Sequence, residues 1–249
     1  MKPQAVLILL FFSISPLITN GQGNKDQSHV FFTVSAGLSF SSAKGDIEEG
    51  MKASGLDETL DNWLFGGKTR YPKSENHPVY EFEIGYHLNE MHGISLGYGM
   101  HSHFEVSGYE NTGIGNFVIL NSRTRFASLS YYLSVKNNYH NFFAGPVMLF
   151  RSVRNDASNN ISDPSNQTFM GLNLGYTGKI FNKKWWFTAV RAVYRWAPRQ
   201  SIDSFSSSHQ TGIITPDPET HTSTFRETKT GMGAFNLLLS AGLKLNYNH

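Results

Sequence analysis

The sequence predicts an all-β fold: an eight-stranded antiparallel transmembrane β-barrel of up-and-down meander topology, behind a cleaved signal peptide. Three observations predict it. Period-two alternation of apolar with small or polar residues recurs along the chain. The connections alternate between tight turns and long polar loops. Charged residues are 16% and aromatics 14% of the chain, against roughly 25% charged in typical soluble domains, and no apolar stretch after the leader approaches helical spanning length. Lipid tolerates no unpaired backbone groups, so a membrane chain with these properties has to close a barrel.

The leader, residues 1–21, is set apart from a single barrel domain over 22–249. Lys2 gives a positive start, and Ala5 to Ile18 form an apolar run broken only by Ser13, Ser15 and Pro16. Thr19-Asn20-Gly21 then ends on small residues, the pattern of a secretory signal cut near Gly21 or Gly23. About 14 apolar residues fall short of the roughly 20 a spanning helix needs. The chain has no cysteine, which removes disulfides, thiolate chemistry and a lipid-modified cysteine, and suits an exported envelope protein stabilised in another way. Net charge is +2, or +1 without Lys2, and no basic cluster argues for nucleic acid.

The first strand sets Phe32, Val34, Ala36, Leu38 and Phe40 against Thr33, Ser35, Gly37 and Ser39. The second sets Tyr80, Phe82, Ile84, Tyr86 and Leu88 against Glu81, Glu83, Gly85 and His87. In the third, Ile94, Leu96, Tyr98 and Met100 oppose Gly93, Ser95, Gly97, Gly99 and His101. The fourth has Ala127, Leu129, Tyr131, Leu133 and Val135 opposite Ser128, Ser130, Tyr132 and Ser134. The fifth, about 141–153, is apolar on both faces and its register stays open. Met170, Leu172, Leu174 and Tyr176 mark the sixth, against Gly171, Asn173, Gly175 and Thr177. The seventh places Trp186, Val190, Ala192, Tyr194 and Trp196 against Arg191 and Arg195. The eighth runs Phe235, Leu237, Leu239, Ala241, Leu243, Leu245 and Tyr247 against Asn236, Ser240, Gly242 and Lys244.

Tight turns fall at 89–92, 136–140 and 182–184, and long loops at about 41–78, 104–116, 154–167 and 198–229. That asymmetry puts the turns and both termini on the periplasmic side. A lipocalin-type barrel alternates too, with its apolar face inward. Here the polar face is mostly Gly, Ser and Thr, too bare for a water-facing exterior but suited to a narrow lumen. The apolar face carries rings near strand ends, the place of headgroup-level aromatics, so it faces lipid.

Across essentially the whole mature sequence the chain resembles the small eight-stranded outer-membrane barrels of the OmpA, OmpX and OmpW type. Ser240-Ala241-Gly242-Leu243-Lys244-Leu245-Asn246-Tyr247 is similar to the C-terminal signal that such proteins present to the barrel-assembly machinery, with Gly242, Leu245 and Tyr247 at the matching positions. The family pattern ends on the aromatic residue, whereas here Asn248 and His249 follow. Nothing after the eighth strand resembles a peptidoglycan-binding domain. The resemblance implies residence in the bacterial outer membrane, among its lipid and lipopolysaccharide.

Counted up from the turns, Glu81 and Glu83 overlap in height with Arg191 and Arg195, at roughly 3.3 Å per residue along tilted strands. Buried charges must pair, so a lumen network of these four is expected, with His101, His87 and Lys244 as further partners. It can serve as a structural plug or as a gate. His101, His103 and Glu105 alternate along the third strand, but two or three residues of one strand do not complete a zinc site, and no metal or other cofactor is assigned. The same histidines with Ser102 or Ser107 supply the residue types of a lipid-modifying enzyme. Neighbours on a strand face opposite ways, however, and no catalytic residue is assigned. Arg123 and Arg125 share the outward parity of the fourth strand, where guanidinium groups could meet lipopolysaccharide phosphates. Ile47, Met51, Leu56, Leu60, Trp63, Leu64 and Phe65 in the first loop suit a short amphipathic helix within 46–61, folded over the barrel mouth or offered to an extracellular partner. The functional expectation is a non-enzymatic outer-membrane protein acting structurally or through its loops, with a narrow or gated pore as the alternative.

Overall fold

The computed structural model describes residues 28–62, 67–111, 116–135, 138–155, 165–210 and 220–246. The expected signal peptide, Trp63, Leu64, Phe65 and Tyr247 lie outside the described residues. β1 (His29–Ser41) leads into α1 (Ser42–Ala53) and three short strands, β2 (Thr59–Asn62), β3 (Gly67–Arg70) and β4 (Lys73–Asn76). β5 (Val79–His87), β6 (His92–Glu110), β7 (Asn116–Val135), β8 (His140–Asn155), β9 (Ser165–Asn182) and β10 (Trp186–Trp196) follow as a meander. Four short strands come next: β11 (Gln200–Ile202), β12 (Phe205–Gln210), β13 (Thr220–Phe225) and β14 (Thr228–Thr230). β15 (Ala234–Asn246) is the last strand among the described residues.

β1, β5, β6, β7, β8, β9, β10 and β15 pair in that order, and β15 pairs back onto β1, so the eight-stranded antiparallel ring predicted from the alternation is closed. Closure leaves no unpaired ladder edge around the wall. The outward side chains form an apolar belt, with Leu239 69% and Leu96 60% exposed and Leu38, Ile84, Met170 and Leu243 beside them. The β8 register, open in the sequence, puts Phe142, Ala144, Met148 and Phe150 outward and Phe143, Val147, Leu149 and Arg151 inward.

The wall continues above the belt. The 104–116 stretch expected as a loop is mostly strand, since β6 runs to Glu110 and β7 starts at Asn116. β4 adds to the outer part of β6, pairing Asn76 with Phe104 and Lys73 with Ser107. Most of the 198–229 stretch is likewise organised into ribbons, β11 with β14 and β12 with β13. α1 drops into the cup these strands make. Ile47, Met51 and Leu56 are fully buried against Phe104, Val106, Val118 and Leu120, so these three apolar residues of the first loop fold over the barrel mouth. Asp46 ties the cap down by accepting from Gly231 N–H at 2.6 Å.

One register shift corrects the sequence reading. Between Met100 and Ser102 the β6–β7 ladder skips a residue, leaving His101 as a bulge. Met100 is buried instead of outward. Beyond the bulge the even positions of β6 face in and His103 and Glu105 face out. His101 and His103 therefore do not share a face. Ser102 is buried inside as well, while His103 and Glu105 face out, so the residues considered for zinc or for a catalytic triad are split between the two faces.

Candidate functional site

Neighbouring rungs bring β5 and β10 residues to one level of the lumen. Glu81 and Glu83 project inward from β5, Arg191 and Arg195 from β10, and all four are buried. Arg191 Nη1 bonds Glu83 and lies 3.1 Å from Glu81, while Arg195 Nη2 donates to Glu81 at 2.5 Å. Glu83 Oε1 also accepts from Ser95 at 2.6 Å and from the Tyr132 hydroxyl. Below and above, aromatic faces carry the cations: Arg191 lies 4.7 Å from the Phe143 ring and Arg195 3.6 Å from that of Phe126. Hydrogen bonds between hydroxyl and amide groups line the same level, Ser35 with Ser240 at 2.8 Å and Asn173 with Ser130 at 2.9 Å.

Three residues expected in this network are elsewhere. Lys244 sits at the end of the barrel that carries the tight turns, donating to Asn182 and to the Lys183 carbonyl, because β15 carries it below the carboxylate rungs. His101 is buried, but the bulge turns it to the Met232 carbonyl, 3.4 Å from Nε2, with no carboxylate partner. His87 stacks on His29 at 4.6 Å and meets Asn138 instead of the ion pairs. Sequence reasoning missed Tyr132, Arg151 and Lys179. Tyr132 and Lys179 share inward parity with the serines of β7 and the glycines of β9, a signal visible in the sequence. Arg151 was hidden because β8 is apolar on both faces; it is buried under the cap and donates to Thr230 at 2.6 Å.

Arg123 and Arg125 are exposed on the outer face of β7. Arg125 pairs with Met100 and Phe150, at the top of the apolar belt, and Arg123 with His103 and Ser152 one rung higher. Arg154 faces outward on β8, two residues beyond Ser152. Above the belt, Arg123 Nε donates to His103 Nε2 at 3.2 Å, and His77 packs on His103 with ring centroids 4.3 Å apart. Accepting that bond requires the neutral imidazole. Desolvation, then the like charges His77 and Arg123, hold His103 below its ordinary 6.5, at about 4. A depressed histidine contributes stability that is complete above pH 6.5 and is lost as the pH falls toward 4. The protection factor of His77 N–H, which bonds the His103 carbonyl at 2.9 Å, should therefore fall between pH 6.5 and 4. His103→Gln should flatten that dependence; an unchanged pH profile in the variant would place its origin elsewhere.

A ring closed on itself, apolar outside and ion-paired inside, defines a membrane-spanning β-barrel of the small outer-membrane class. No family model and no curated protein sequence matches the chain. The fold is similar to solved structures of such barrels. The N-terminal barrel domain of Pseudomonas aeruginosa OprF has 11% identity and a TM-score of 0.40 over 88% of this chain and 100% of that one. Outer membrane protein OprG of Pseudomonas aeruginosa has 12% and 0.41 over 90% and 99%. Neisserial surface protein A has 11% and 0.40 over 88% and 97%.

Proposed function

We propose that the chain is a non-enzymatic protein of the bacterial outer membrane whose plugged barrel presents its extracellular cup and loops for a structural or surface-interaction role. The observation that carries this reading is a lumen crossed by the Glu81/Glu83/Arg191/Arg195 pairs and covered by α1. Eight strands leave an interior that side chains can fill, so two successive barriers leave no open water path. The test is single-channel recording of refolded protein in planar bilayers. Wild type and an uncapped Ile47→Asp/Met51→Asp variant should both be silent, because the ion-pair layer remains when the cap is lifted. Discrete wild-type openings, enlarged by Glu81→Ala/Glu83→Ala, would instead support the gated-pore alternative.

In the same reading, Arg123 and Arg125 contact lipopolysaccharide phosphates, with Arg154 as a third outward guanidinium at that height. A guanidinium suits a phosphate because its planar fork gives two parallel donors. Arg123→Gln/Arg125→Gln should fold normally but retain less lipopolysaccharide through purification; equal retention would count against the contact. The β15 end serves as the assembly signal in this account, with Gly242 facing in and Leu245 facing out.

A further inference from the structure

The buried charges of the lumen do not balance. Arg151, Lys179, Arg191 and Arg195 are buried cations, and Glu81 and Glu83 are the buried carboxylates that face them among the described residues. Arg191 and Arg195 consume both carboxylates. Arg151 has Asp46 of the cap within electrostatic reach. Lys179 differs, because the charge that acts on it is another cation, Lys244. Its ammonium has three donors and makes one hydrogen bond, to Asn138 at 3.1 Å, while resting 4.7 Å from the Phe187 ring. A buried cation without an anion is strongly disfavoured.

Beside Lys179 lies a cavity of about 20 Å³, enough for a single small occupant. Its walls include the Lys179 side chain, the hydroxyl residues Thr33 and Thr177, and Arg191, whose Nε is buried without a hydrogen-bond partner. Glu83 also borders it, but its oxygens are taken by Ser95, Tyr132 and Arg191. Phe31 and Phe187 form apolar walls of the same cavity, and apolar surroundings make an unneutralised charge more costly. We propose that this cavity binds one small monovalent anion, chloride in ordinary salt, held by Lys179 Nζ, Arg191 Nε and the Thr33 and Thr177 hydroxyls. A water there could accept two of these donors but would leave Lys179 unneutralised.

Crystals grown with sodium bromide as the only halide, measured at the bromine edge, test the assignment. An anomalous peak among Lys179, Arg191, Thr33 and Thr177, lost in Lys179→Met, is the expected result. A peak-free cavity, or bromide only on exterior lysines as an adventitious ion only, would overturn it. A solution measurement covers a variant that does not crystallise. The temperature at which the protein loses its compact migration should be higher in potassium chloride than in potassium gluconate of equal ionic strength. That difference should vanish in Lys179→Met, or in Thr177→Val if the lysine variant does not fold. Equal wild-type temperatures in the two salts would also overturn the proposal, and neither result depends on whether the barrel conducts.

Discussion

Glu83→Ala should lower folding stability by about 3–5 kcal/mol, because it leaves a buried guanidinium with Glu81 alone and takes the shared acceptor from two hydroxyls at once. Arg191, Ser95 and Tyr132 all use this carboxylate, and none can reach bulk water from the middle of the lumen. The readout is the urea midpoint for the compact, heat-modifiable form in detergent. Glu83→Leu/Arg191→Met should recover much of the loss, since an apolar pair of similar volume carries no desolvation cost. If the single variant unfolds at the wild-type midpoint, the pair has no structural weight.

Three glycines should resist even alanine, each at about 1–3 kcal/mol of overpacking. Phe31, Phe143 and Phe187 point inward directly across from Gly85, Gly175 and Gly242. A Cβ at any of the three would lie 2.2 Å from the Cζ of its phenylalanine. Each ring therefore lies over the bare backbone of the neighbouring strand. The lower lumen is filled by three copies of one packing device. Gly85→Ala, Gly175→Ala and Gly242→Ala should refold from urea with similar losses, and Gly175→Ala/Phe143→Leu should regain stability. Gly242 is the informative member. If it matters through the assembly signal alone, Gly242→Ala would refold as wild type in a purified system while the other two would not.

Much of the wall was legible because lipid outside and small residues inside impose a strict period of two on every strand. Glu81 and Arg191 could be set at one height by counting from the turns, since few residues separate them from the tight connections. The same count failed for His101, and the reason is physical. Below Met100 the apolar side chains of β6, Ile94, Leu96 and Tyr98, face lipid; above it Phe104 and Val106 face the cup. All occupy even positions, so the bulge and the reversal of environment cancel and the alternation runs on unbroken. Arg151 escaped for a related reason. In the upper half of β8 both faces are apolar, Met148 and Phe150 outward and Val147 and Leu149 inward beside Phe126 and Phe169, and periodicity carries no information there.

β7 makes the same change of surroundings with no inserted residue. Its apolar side chains switch from odd positions, Leu129, Tyr131 and Leu133, to even ones, Val118 and Leu120. Two adjacent strands thus meet one demand differently, β7 by a change of pattern and β6 by one extra residue in its ladder. The extra residue makes the outer half of β6 dependent on strand length as well as on composition. Deletion of His101 would turn Phe104 and Val106 out to water and bring His103 and Glu105 under the cap, although every other residue was kept. A sequence-divergent relative that lacks this residue would be expected to carry its outer apolar side chains on odd positions, and that parity would reveal the bulge where the local sequence conceals it.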